Sequence, residues 1–245
     1  MTYAVERTSA RAWTDAQMGA LFAEGFPPFI TADQEVKRYI GHVREHFPHL
    51  DIMLVDADGE PAATGWGVPL AWSGQADDLP SSFADVLRLA VEAHESAASP
   101  DTFVIAGGVV RPVRKGTGAA AELVRALVRT GTDGGLTRVV APVRPTRKHL
   151  YPLTPIGEYA TWTRHDGEPF DPWLRLHHRL GGTVVALAPA AQTMTGSVAE
   201  WQDWTGLRLP ASGDYVIPSG MSVLSIDFDA DLGTYVEPNV WVRHR

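Results

Sequence analysis

The sequence predicts an α/β fold, because apolar runs of strand character alternate with segments whose apolar residues recur every three to four positions. Three observations carry that prediction. Val36, Tyr39, Ile40, Val43 and Phe47 share one helical face. Two apolar runs meet across an Asp58-Gly59 turn. The run Thr102–Val110 leads through a short glycine-containing loop into an Ala/Leu/Val segment of helical spacing. With 245 residues and 44% hydrophobic content, the chain can bury a sizeable core as one large domain or a domain plus an extension.

Taken in order, Tyr3–Ala10 alternates weakly and reads as a first strand. Thr14-Asp15 caps a helix through Met18, Leu21 and Phe22 to Phe26, which Pro27-Pro28 ends. Thr31–Phe47 is the second helix. Asp51–Asp56 and Pro61–Trp72 form a hairpin. A helix from Ser81 to about Ala97 is inserted before the strand Thr102–Val110. The helix after the loop ends near Gly134-Gly135, and Thr137–Pro142 is the next strand. Arg144–Phe170, rich in aromatic residues and prolines, is longer than an ordinary connection; it reads as a lid or substrate wall, or as a surface insertion. Asp171 is an N-cap and Pro172 the first residue of a helix to Leu180, followed by a strand over Thr183–Ala188.

The stretch from Val109 to Val124 is the most informative. A strand, then small residues, then a helix start presents unpaired amides at the positive end of a helix dipole, a construction that holds phosphate. Between Arg111 and Lys148 lie nine Lys/Arg and only Glu122 and Asp133 as carboxylates, in a chain of net charge −8. Such a window beside a glycine loop suits a compact phosphorylated small molecule better than nucleic acid or a membrane; without the loop it would read as a solvated helix face. No Lys-Ser or Lys-Thr pair completes a P-loop. Gly116, Gly118 and Ala121 formally meet the dinucleotide pattern, but Pro112 and three cations separate them from the strand.

The segment resembles motif A of the GNAT acyltransferase superfamily. Val110-Arg111-Pro112 matches its Val-x-Pro, and Lys115-Gly116-Thr117-Gly118-Ala119-Ala120 its [Q/R]-x-x-G-x-[G/A] loop, with Lys115 departing from the usual Gln or Arg. The resemblance extends over about residues 3–190, with motif support near 109–124 and 171–182. It implies a GNAT-like mixed sheet flanked by helices, with the inserted helix at about 73–100 and the long loop 144–170. A C-terminal β-rich extension, 191–245, would pack on the same domain. It further implies acetyl-CoA or another acyl-CoA as co-substrate, gripped by Arg114, Lys115, Gly116, Thr117, Gly118, Ala119 and Ala120, with Val109 and Val110 pairing with the pantetheine arm. Acyl transfer to a small-molecule amine is the implied reaction.

Aligning Leu180-Gly181 with the family's late Leu-Gly puts His177 where many members carry a tyrosine acid; otherwise it is a histidine favoured near a helix C-terminus. Tyr159 and Glu158 complete the candidate catalytic set. Asp166, Glu168, Glu237 and Tyr235 are further acid–base candidates that spacing does not rank. Gly107-Gly108 would permit a bulge that splays the strand, or relieve crowding. The tail, with Trp201, Trp204 and strand-like runs at Met221–Phe228 and Thr234–Trp241, has three open uses: completing the acceptor pocket, supplying a homodimer surface, or edging the sheet.

The chain has no cysteine, which excludes disulfides and a cysteine nucleophile. No metal-site spacing, signal layout or membrane-length apolar run occurs, so a cytoplasmic protein without a metal is expected. Two alternatives stand beside the enzyme: a non-catalytic acyl-CoA-binding protein and a nucleotide-cofactor oxidoreductase.

Overall fold

Residues 2–22 and 25–245 are described in this computed structural model. The elements in chain order are β1 (Ala4–Arg7), α1 (Asp15–Phe22), α2 (Gln34–His46), β2 (Ile52–Val55), β3 (Pro61–Leu70), α3 (Phe83–Glu95), β4 (Thr102–Val110) and α4 (Ala119–Asp133). They continue as β5 (Arg138–Val143), α5 (Ile156–Tyr159), α6 (Pro172–Arg179), β6 (Thr183–Gly196), α7 (Val198–Thr205), β7 (Gly213–Val216), β8 (Val223–Asp227) and β9 (Leu232–Arg243). The helix starts follow their caps. Asp33 accepts from the amides of Glu35 and Val36, Ser82 from Asp85, and Asp171 from Trp173 and Leu174. The first helix, expected to reach Phe26, extends to Phe22; residues 23–24 lie outside the described residues, and Gly25 and Phe26, just before Pro27-Pro28, are not helical.

Among the described residues the strands make one sheet in the order β1-β2-β3-β4-β5-β9-β8-β7, with β6 along the other edge of β9. β4 and β5 are parallel, and every other pairing is antiparallel. The doubly wound parallel sheet that a dinucleotide-binding oxidoreductase would need is therefore not the fold adopted.

Helix α4 lies close on the sheet: a Cβ at Gly131 would come within 2.5 Å of the Phe103 side chain, so only glycine admits that approach. The main core joins Leu123 and Leu127 of α4 and Val86, Leu87 and Ala90 of α3 to Phe103, Val104, Val139 and Val140. A second core joins Phe29 and Ala32, just before α2, to Met194, Trp201, Leu224 and Tyr235. The tail is thus part of the body of the protein. A division at residue 190 cuts β6 in two, because the strand runs to Gly196 through an irregularity between Ala188 and Gln192. Helix α7 was not expected. Its signal was present: Ser197 and Glu200 form a reciprocal capping box.

Two discontinuities in the sheet position the site. β4 and β5 pair only from Thr102↔Arg138 to Val104↔Val140, although β4 continues to Val110 and β5 to Val143. The strands part beyond that point. On β4 the register with β3 slips between Trp66↔Gly107 and Gly67↔Ile105, which leaves Ala106 as a bulge. The second discontinuity is on β9. β6 fills one edge, while β8 takes residues 232–235 and β5 residues 240–243 of the other. Positions 236–239 between them carry no strand on that side among the described residues.

Candidate active site

The loop after β4 makes one 3-10 turn at Pro112–Arg114, then reverses through two glycines with positive φ, Gly116 at +79° and Gly118 at +89°. Gly118 is the N-cap of α4 and has no side chain to satisfy the helix's first amides. A Cβ at either glycine would meet nothing within 4 Å. The result is an open nest of backbone N–H groups at the positive end of a 15-residue helix. Thr117 braces it from within: its hydroxyl donates to the Arg114 carbonyl and lies 2.8 Å from the Tyr3 hydroxyl.

The surrounding cations are less free than their number suggests. Arg114 is paired with Asp56, whose carboxyl is held below its ordinary range by the amides of Glu60 and Asp58 and by that guanidinium, against the opposing effect of burial. Arg111 lies 3.5 Å from Glu60. Arg129 and Arg125 share Glu122, and Arg138 pairs with Asp101. Much of the basic window is neutralised within the fold.

Gly107 faces the indole of Trp66, which would touch an added Cβ at 2.4 Å. Gly107 thus sits next to the bulge at Ala106 and in a crowded contact with Trp66. Val109 is buried against Leu21 of α1 and Met53. Gly108 points to the opposite face, toward Leu123 of α4.

Of the three catalytic candidates, His177 and Tyr159 are buried and already partnered within the chain, whereas Glu158 is exposed. His177 is 2% exposed; its Nδ1 is 2.7 Å from His244 Nε2, and its ring stands edge-on to Trp173. Burial, with the neighbouring His244, pushes its pKa down to about 3, so it is neutral near pH 7. His244 is bonded through its backbone to Val139, which pairs with Phe103 in the stretch where β4 and β5 are still joined. His177 is thus walled off beside the closed end of the splay. Tyr159 is buried and donates to Asp171 at 2.9 Å; burial and that carboxylate push its own ionisation far up. Glu158 is exposed on α5.

Asp171 explains this corner. Besides capping α6 and receiving Tyr159, it accepts the amides of Thr146 and Arg147, at 3.2 and 2.7 Å, and so ties the long loop down. Tyr151, Tyr159, Trp162 and Phe170 pack on one another, and the ammonium of the buried Lys148 lies 5.8 Å from the Tyr159 ring. That ammonium donates to the carbonyls of Tyr151 and Met221. The loop's aromatic wall therefore already contains the protein's own cation. Asp166 and Glu168 are paired with Arg164 and Arg179.

Sequence reasoning named Glu237 and Tyr235 as acid–base candidates but did not anticipate Arg144 and Asn239 beside them at the gap in β9. Arg144, the residue after β5, donates from Nε to Glu237 Oε1 at 2.7 Å and from Nη2 to Oε2 at 3.1 Å, and Nη2 also reaches the Ser219 carbonyl. Glu237 is fully buried and accepts from the Tyr235 hydroxyl at 3.0 Å. Asn239 is 5% exposed, and its Oδ1 has no hydrogen-bond donor among the described residues. A Glu-x-Asn pair in an otherwise apolar strand was the available signal.

No protein-family model matches the chain. A curated relative, the arginine N-acetyltransferase avaD of Aspergillus versicolor, is 28% identical over 247 residues, covering 89% of this chain and 84% of that protein. Among solved structures, the loading GNATL domain of CurA from Lyngbya majuscula superposes with a TM-score of 0.62 at 15% identity, covering 100% of this chain and 98% of the other. The GphF GNAT-like decarboxylase in complex with isobutyryl-CoA gives 0.54 at 15% identity, covering 94% and 93%. The fold is that of the GNAT superfamily, as the motif at Val109–Val124 implied. No helix among the described residues is long and apolar enough to cross a membrane.

Proposed function

The chain carries the GNAT fold, and on that premise we propose that it is an acyl-CoA-dependent N-acyltransferase that acylates the amine of a small molecule. One observation carries the reading: an open amide nest at Gly116–Ala120 follows a β4 that has parted from β5. The nest fits a diphosphate, since its two left-handed glycines leave space where any other residue would place a Cβ. The parted strands fit an extended arm carrying amides, because β4 beyond Val104 has lost its β5 partner and has backbone groups to offer there.

A bound acyl-CoA supplies an acyl group activated as a thioester. The chain's own residues do the rest. Gly116, Gly118, Ala119 and Ala120 hold the phosphates through backbone N–H groups, while the Thr117 amide donates to the Arg114 carbonyl and shapes the loop. Lys115 and Arg114 add positive charge, Arg114 with its guanidinium fixed by Asp56. Val109 and Val110 offer strand pairing to the pantetheine arm. The bulge at Ala106 turns the β4 backbone where a preorganised N–H is needed to meet developing negative charge. The acceptor must arrive as a neutral amine, because an ammonium has no lone pair with which to attack.

The test is release of free thiol from acetyl-CoA and longer acyl-CoAs with a panel of amines, arginine first because of the curated relative. Thermal shift with acyl-CoA, NAD and NADP runs alongside. Thiol release dependent on an amine is the expected result. Stabilisation by acyl-CoA without thiol release would make the chain a non-catalytic binder, and stabilisation by NAD alone would overturn the reading.

A further inference from the structure

Asn239 Oδ1, like Thr8 Oγ1 and His177 Nε2, is a buried polar atom without a hydrogen-bond partner among the described residues, and of the three it is the one at the gap in β9. Buried polar atoms nearly always find a partner, and a buried acceptor left without a donor weakens the fold that contains it. The Asn239 Oδ1 is fully enclosed with no donor among the described residues, while two positions back on the same strand Glu237 is saturated by Arg144 and Tyr235. The fold can therefore satisfy polar groups on this stretch of β9, and it leaves this one open.

Its place gives the unpaired oxygen a meaning. The last β5–β9 pair is Val143↔Val240, so Asn239 stands one residue beyond it, beside the stretch of β5 that has already left β4. Alternation along β9 puts Tyr235, Glu237 and Asn239 on one face. That face is fixed by Tyr235, whose ring packs at 5.1 Å on Phe29, in the segment between α1 and α2. Val109 of β4 is buried on the α1 side of the sheet. Asn239 thus shares a face with the outer end of the splay and lies across β5 from it.

We propose that the Asn239 carboxamide is the positioning contact for the acceptor, its Oδ1 accepting an N–H of the incoming nitrogen nucleophile, with the Arg144–Glu237 pair holding β9 in place behind it. This rests on the transferase reading and deepens it. An N–H donor could also come from the pantetheine arm, so the test separates the two sources.

The variants are Asn239→Leu, which keeps the branched outline of the side chain without its polar atoms, and Asn239→Ala. For each, kcat/KM and KM are measured for the best amine of the panel. Acyl-CoA affinity is measured by calorimetry, amine affinity by calorimetry with the protein saturated in free CoA, and Tm by thermal unfolding. The expected result is a loss of roughly tenfold or more in kcat/KM for the amine, carried largely by KM, as when one buried hydrogen bond to substrate is removed. Acyl-CoA affinity should stay within about twofold, and the Tm of Asn239→Leu should be equal or higher, since an orphan polar group has gone. A merely structural asparagine would lower Tm and leave the amine KM alone. Unchanged amine kinetics and binding, or an equal loss of acyl-CoA affinity, would overturn the proposal. If wild type releases no thiol yet binds an amine that Asn239→Leu does not, the transferase reading fails and the contact stands.

Discussion

The loop at Lys115–Ala120 and the corner around Asp171 contain similar raw material, a helix N-terminus with polar residues nearby, but they resolve it in opposite ways. At the corner, Asp171 caps α6, fixes two loop amides and takes the Tyr159 hydroxyl, so every group has a partner inside the chain. At the loop, the N-cap is a glycine with no side-chain bond to the first amides of α4. A satisfied helix start holds a fold together; an unsatisfied one is a place for something else to bind.

The sharpest way to break that contrast is Gly118→Glu. It places a side chain at φ +89° and a negative charge in the nest, so acyl-CoA affinity should fall at least ~100-fold by calorimetry with the far-UV spectrum unchanged. An unaltered Kd would remove the loop from the site. Next in size is Glu237→Gln, which leaves the Arg144 guanidinium without its counter-charge beside a fully buried position; denaturant unfolding should show a loss of about 3 kcal/mol. Asp171→Ala should cost about 2–3 kcal/mol, because a cap and several buried partners are lost together. If the corner were a catalytic centre instead, that variant would lose turnover at unchanged stability.

The last effect is a slope, absent at neutral pH and growing only on acidification. His177 has a folded pKa of about 3, below its unfolded value, so it favours the native state above pH ~6.5 and that contribution is lost as pH falls toward 3. Between those limits wild type should lose up to about 1.4 kcal/mol per pH unit relative to His177→Phe. Thiol-release rates of the two proteins at pH 7.5 should agree within about twofold, the small change expected of a residue off the site (a factor of two is ~0.4 kcal/mol). A large drop in turnover would restore His177 as the proton donor.

What the sequence made legible was local. The strand Thr102–Val110, the glycine turn and the caps at Ser82 and Asp171 are each written within a few residues, and the fold agrees with them. The family resemblance was legible for the same reason, since motif A is a contiguous loop. The acid–base candidates were not, because their roles depend on distant partners. His177 is kept neutral by burial and by His244, Tyr159 is fixed by Asp171, and Glu237 is engaged by Arg144 from the end of another strand. The course of β6 past residue 190 was also hidden, because Pro189 and the irregularity beside it interrupt the alternation that marks a strand.

The insertion of β9 beside β5 has a consequence for how this protein comes into being. Val143 acquires its neighbour Val240 only after a loop of about a hundred residues has closed, so the middle of the sheet waits for a segment synthesised long after β5. Until then the flank of β5 is a bare strand edge open to wrong pairing, and a chain cut short before residue 232 would be missing its centre rather than its margin.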